Sequence, residues 1–172
     1  NLYELRDVSA PADKKTNGWE DDLMKDGWED IITRIKAVAE DLGIEFRLSH
    51  SPGYAGFGSA EWVAVNKRSI DICKMLGIEN LVVHSAVGSS KENCYTVNAT
   101  HYAKILPYAA ERGINILCAN STMKNVPAGK WFFTNGADMR GLIELVQSQG
   151  YSNFHGVWDT GHANCEGSQY LD

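Results

Sequence analysis

The sequence predicts an α/β fold of repeated strand–helix units: a parallel sheet with its helices on the outside. Three observations predict it. Gly43, Gly77, Gly113 and Gly150 each follow a helical stretch and precede an apolar run, and they lie 34, 36 and 37 residues apart. A glycine just past a helix suits the left-handed stop, where a missing Cβ removes the steric cost. The spacing accommodates one strand, one helix and two loops, and repeated units of that kind imply a parallel sheet. The runs themselves are short and rich in Val, Ile and Leu, as buried parallel strands are. Finally, each run ends on a polar residue: His50, His84, Asn120 and Asp159. In a parallel sheet these are the carboxyl ends of neighbouring strands, the rim where α/β barrels and open sheets keep their sites.

The elements follow in order. Residues 1–6 alternate apolar and polar and read as a first strand near 1–5, with Glu4 near its end. Residues 7–27 are polar and loop-like. Asp26 is a candidate N-cap, with Glu29 three positions on, for a helix whose apolar face carries Ile31, Ile32, Ile35, Val38, Ala39 and Leu42. A strand over 44–50 follows, then a Gly-rich loop over 51–58 holding Tyr54 and Phe57. Ser59 is placed to cap a helix running to about Leu76. After a strand over 80–84, a polar loop leads to a helix from about Thr96 to Arg112. Pro107 lies within it and should kink it, because proline cannot donate the backbone hydrogen bond. A strand over 114–119 precedes a long loop over 121–137 with Trp131, Phe132 and Phe133, which are expected to pack it onto the sheet. Asp138 is a candidate cap for a last helix ending near Gln149, and a strand over 154–158 leads into Asp159-Thr160-Gly161-His162. Five parallel strands in sequential order are thus expected.

Composition narrows the function classes. A chain of 172 residues, 44% hydrophobic and 22% charged, can bury one domain's core. The net charge of −6 argues against a nucleic-acid partner, which a basic face would serve. No apolar run approaches the ~20 residues of a membrane span. Cys73, Cys94, Cys118 and Cys165 form no C-x-x-C pair and read as free thiols in a reduced, cytoplasmic setting. The N-terminus shows neither a Met start nor a signal-peptide pattern, so the chain reads as beginning within a domain.

The chemistry-bearing residues cluster on the expected rim. A carboxylate leaving a buried strand is costly unless paired or bound to a cation, and Thr160-Gly161 lets the chain turn so that His162 joins Asp159. Two readings stand: a functional pair, or an Asp capping the next helix with a His in the loop. His50 and His84 close strands at equivalent points of the repeat. They suit binding a metal, hydrogen-bonding a polar substrate or shuttling protons. Tyr54 and Phe57 either stack on a ligand or pack their loop.

The stretch 156–164, with Asp159-Thr160-Gly161-His162-Ala163 at its centre, resembles the D-T-G-H-A strand motif of the xylose-isomerase-like TIM barrels. This superfamily holds sugar phosphate isomerases and epimerases and is related to endonuclease IV. Leu48-Ser49-His50-Ser51-Pro52 resembles the family's third strand end and Val82-Val83-His84 its fourth. Residues 102–119 resemble the helix and fifth strand that precede a family Glu-Asn pair. The resemblance implies a (β/α)8 TIM barrel, of which residues 1–172 form a single domain, incomplete at both ends and carrying about strands two to six.

Its implications for function are specific. The family moves a proton next to a keto-sugar carbonyl, assisted by a divalent metal (Mn, Mg, Co or Zn). By position Asp159 corresponds to a metal ligand and His162 to a residue that contacts substrate near the metal; His50 and His84 would line the substrate pocket, with Tyr54 and Phe57 of the Gly-rich loop as the further candidate substrate contacts. The expected partner is a sugar or sugar phosphate, with homo-oligomers allowed. Two departures stand out. The family's fifth-strand Glu, ligand and base, falls on Ala119, although Asn120 keeps the Asn that follows. The chain also stops before the seventh and eighth strands, which bring further ligands. These departures keep open a non-catalytic sugar-binding barrel or pseudo-enzyme, and more distantly a metal-dependent nuclease.

Overall fold

The computed structural model describes residues 22–52 and 56–165. The expected strand at 1–5, Glu4 and Tyr54 lie outside these residues. The described elements are α1 (Trp28–Asp41), β1 (Ser49–His50), α2 (Ala60–Leu76), β2 (Asn80–Val82), α3 (Lys91–Tyr102), α4 (Leu106–Ala110), β3 (Asn115–Ala119), α5 (Gly136–Ser148), β4 (Phe154–Val157) and α6 (Thr160–Cys165). The four strands form one parallel sheet in the order β1-β2-β3-β4, as the repeat predicts.

The glycine punctuation works as expected. Gly43, Gly77, Gly113 and Gly150 all hold positive φ, from 66° to 96°. In three of the four units the next residue closes the helix end with a bond back across it. Ile44 donates to the Ala39 carbonyl (2.8 Å), Ile78 to Cys73 (2.9 Å) and Ile114 to Ala109 (2.9 Å). This is the paired helix stop that satisfies the orphan carbonyls of the last turn.

Several boundaries differ from the sequence reading, each for a physical reason. The strand over 44–50 shortens to Ser49–His50 because of its register. With Ser49 opposite Leu81, residues before 48 run past the start of β2 and face the Gly77 turn. The cap of α1 is Gly27 at φ 84°, with no side-chain bond, rather than Asp26. Helix α5 is capped by Asn135, whose side chain accepts from the Asp138 amide (2.9 Å). Asp138 instead pairs with Lys91 at 2.6 Å. The helix expected from about Thr96 starts earlier, at Ser90, whose hydroxyl accepts from the Asn93 amide. It then breaks into α3 and α4 rather than kinking, with Pro107 in the first turn of α4, where its missing N–H costs nothing.

Alternation along the strands divides the sheet into two faces. Leu81, Val83, Ile116, Cys118 and Phe154 point to the helices and join the main core with Trp62, Tyr102, Leu106, Phe133 and Leu142. Val82, Leu117, Ala119 and the half-buried Val157 form a separate small cluster on the opposite face. Helices therefore cover one face, as a barrel wall requires. Gly156 lies on the helix side, where a Cβ would come within 2.9 Å of Ile143, so its absence lets α5 close on β4. The loop after β3 is tied down by an antiparallel bridge between Gly88 and Trp131 and by the buried rings of Phe132 and Phe133, as expected. Cys73, Cys94 and Cys118 are buried free thiols. Burial pushes Cys73 and Cys118 up to about 12, which leaves them protonated and unreactive.

Candidate functional site at the carboxyl edge of the sheet

Register carries three of the polar strand ends, His50, His84 and Asp159, to the inner face. His50 lies opposite Val82, and Val82 opposite Leu117, both members of the inner cluster. His84 is two residues beyond Val82 and shares its side of the strand, as Asp159 does with Val157. The His50 and His84 rings are in contact, with centroids 4.5 Å apart. On the same carboxyl edge, beyond β4, Asp159 and His162 are paired, with Oδ2 3.5 Å from Nδ1. The two pairs communicate electrostatically at His84. Its pKa is lowered to about 4, first by burial and then by the like charges of His50 and His162, against a smaller opposing pull from Asp159. His84 is thus a neutral imidazole at physiological pH.

Buried polar side chains hold this edge in place. Ser51 continues the ladder by donating its amide to the Val82 carbonyl (2.8 Å), while its hydroxyl bonds the Asn66 side chain (2.7 Å). Tyr102 donates to the Val83 carbonyl (2.8 Å) and lies 3.0 Å from the Ser85 hydroxyl. Asn98 accepts from the Ala86 amide and donates to the Ala86 carbonyl, fixing the turn out of β2. All of these residues are buried, and their bonds satisfy polar groups that would otherwise be costly inside the protein.

Asn120 does more than its place at a strand end reveals. Fully buried at the end of β3, it accepts from the Asp159 amide and donates to the Asp159 carbonyl (2.9 Å). Its own carbonyl takes a hydrogen bond from His162 Nδ1 at 2.8 Å. One residue therefore joins two strand ends through its side chain and the start of α6 through its main-chain carbonyl. Its position among the four polar strand ends was the available signal. Asp159 Oδ1 accepts from the His162 amide (2.8 Å), so the capping reading of this carboxylate is realised alongside its pairing with His162. Phe57 packs its ring on Trp62, 6.1 Å between centroids, as part of the core under its loop.

The arc of parallel strands, the one-sided helices and the polar carboxyl edge together describe part of a barrel wall with its site at the expected end. The chain belongs to the xylose isomerase-like TIM barrel family, whose description it matches over residues 12–172. No curated protein matches it. Among solved structures it is similar to the apo 3-keto-D-glucoside 4-epimerase YcjR from E. coli. The identity is 16% and the TM-score 0.63, over 81% of this chain and 57% of that one. A D-psicose 3-epimerase crystallised in the presence of D-fructose is 18% identical with a TM-score of 0.60, covering 82% and 52%. The IolI protein with a bound zinc atom is 16% identical with a TM-score of 0.59, covering 83% and 52%. This chain spans about half the length of these structures, and at such identities the likeness is one of fold.

The family implies a divalent cation, and the described residues do not fit one. Among them no group of three His, Cys, Asp or Glu side chains is placed to hold a metal ion. At the end of β3 the Ala119 methyl, 7% exposed, packs with Val82, Leu117 and Val157. A methyl group offers a cation no electron pair.

Proposed function

We propose that this chain is a sugar isomerase/epimerase-like protein that binds a keto-sugar or its phosphate at the carboxyl edge of the sheet. His50, His84, His162 and Asp159 make the polar contacts. One observation supports the reading: His50 is paired with His84 and Asp159 with His162, and His50, Asp159 and His162 all act electrostatically on His84. Imidazoles and a carboxylate match a ligand dense in hydroxyl groups, each of which donates and accepts. The negative net charge disfavours the nuclease reading. Among the described residues no helix is long and apolar enough to cross a membrane.

Moving a proton next to a carbonyl needs a base beside the carbon and stabilisation of the enediolate. The described residues supply hydrogen bonds and, at His84, a neutral imidazole, but no carboxylate at Ala119, so we propose that this chain alone binds sugar with negligible turnover. Ala119 likewise favours the second reading, a non-catalytic sugar-binding barrel. A keto-sugar panel with added Mn²⁺, read by calorimetry and by product analysis, separates the two. Binding at millimolar sugar with turnover lowered by about 10²–10⁴-fold against an active epimerase is expected, the usual cost of losing a base. Tight Mn²⁺ binding with rapid epimerisation would show that another residue fills the role of Ala119. No binding of any ketose would refute the sugar reading.

A further inference from the structure

Two histidines at this edge share a feature that their sequence positions do not reveal. His50 Nδ1 lies 2.6 Å from the main-chain carbonyl of Ser51, and His162 Nδ1 lies 2.8 Å from the main-chain carbonyl of Asn120. A carbonyl oxygen only accepts, so each Nδ1 must carry the proton. In a neutral ring the proton can sit on one nitrogen only, which leaves a lone pair on each Nε2. Both carbonyls are held in place. Ser51 is buried, with its amide on the Val82 carbonyl and its hydroxyl on Asn66. Asn120 is buried, with its amide group spanning the backbone of Asp159.

We propose that the Ser51 and Asn120 carbonyls lock His50 and His162 in the Nδ1–H tautomer, so that the edge presents two Nε2 lone pairs that accept from ligand hydroxyls. This rests on the sugar reading above and narrows it. A hydroxyl donates to a lone pair, whereas the monoester dianion of a sugar phosphate offers only acceptors and is repelled by one. The end of the ligand at His50 and His162 is therefore a hydroxylated carbon, and any phosphate lies elsewhere. Asn120 acts as a positioning residue for His162, through its carbonyl.

Long-range ¹H–¹⁵N spectra of the labelled chain at mildly alkaline pH, where a free imidazole is neutral, test this without relying on activity. His50→Gln and His162→Gln assign the two rings. Both are expected to show protonated Nδ1 and unprotonated Nε2, and an Nε2–H ring at either position overturns the lock. In Asn120→Ser, which cannot span both the amide and the carbonyl of Asp159, His162 should shift to a mixture of tautomers while His50 is unchanged. An unaltered His162 in the folded variant overturns the role of Asn120. D-Fructose should then shift the Nε2 resonances of both rings, and methyl phosphate, a dianion with no hydroxyl, should not. A phosphate response at Nε2 overturns the hydroxyl assignment. Locked rings that ignore D-fructose support the lock and count against the sugar reading.

Discussion

The two faces of the sheet are drawn from the same strands, one residue out of step, and they do different work. The helix-side face is closed: Leu81, Ile116 and Phe154 are fully buried within a core that runs through α2 to α5. The inner face has only a small apolar cluster, topped by polar residues that remain half-buried. Burying apolar area supplies most of the stability of a domain, so the outer face carries the fold. The inner face forgoes some of that burial and keeps groups able to exchange hydrogen bonds with a ligand. Within each strand, parity alone decides which role a side chain takes.

This contrast can be broken first on the outer face. Phe154 is fully buried, its ring 4.6 Å from that of Tyr102. Phe154→Ala should cost about 3–5 kcal/mol of unfolding free energy in denaturant titrations, the usual range for a buried aromatic truncated to Ala. A loss below about 1 kcal/mol would mean that the helix-side core does not carry the fold.

The inner face should respond through chemistry. Ala119→Glu puts a carboxylate among Val82, Leu117 and Val157, beside the edge that holds Asp159. Without metal it should destabilise by about 2–3 kcal/mol, the cost of an unpaired buried polar group. Mn²⁺ should restore part of that loss and bind at least about tenfold more tightly than to the native chain, because a hard anionic ligand has been added. Calorimetric titration with Mn²⁺ checks this, and equal affinity in the two chains would separate Ala119 from the metal question.

The smallest expected effect is at His84. Its folded-state pKa, about 4, lies below the ordinary 6.5 because of burial and neighbouring His50 and His162. The unfolded chain therefore binds the extra proton between these values. Stability is unaffected above pH 6.5, falls as pH drops towards 4 and levels off below. The full shift would correspond to about 3 kcal/mol, but the ring is only half-buried and solvent screening reduces this, so the loss, obtained as the difference between the native chain and His84→Asn, should be about 1–2 kcal/mol. Identical pH profiles for the two chains would show that the edge is more solvated than its packing implies.

Much of this architecture was legible in the chain. The four glycines announced the helix stops because positive φ is a local demand that few other residues meet. Parallel order followed from the repeat, because a strand returning parallel needs a helix-length crossover. The polar strand ends gave the edge and the clustering of His50 with His84. Cap positions and the break between α3 and α4 were less legible, since several residues near a helix start can serve as caps. At Asp138, the neighbouring Lys91 and Asn135 decided the outcome.

What the sequence alone determined is the local grammar: where helices stop, where strands run and which residues end them. These follow from backbone dihedral limits and hydrophobic period, which act over a few residues. Only the tertiary structure decided how the edge is held. Asn120 meets Asp159 and His162 across 39 and 42 positions of chain, and Ser51 meets Asn66 across 15. The identity of a hydrogen-bond partner depends on strand register and on how closely a helix packs, and hydrogen bonds fail within a fraction of an ångström of misplacement. No local pattern encodes that, so the tautomers of His50 and His162 became visible only once the strands were side by side.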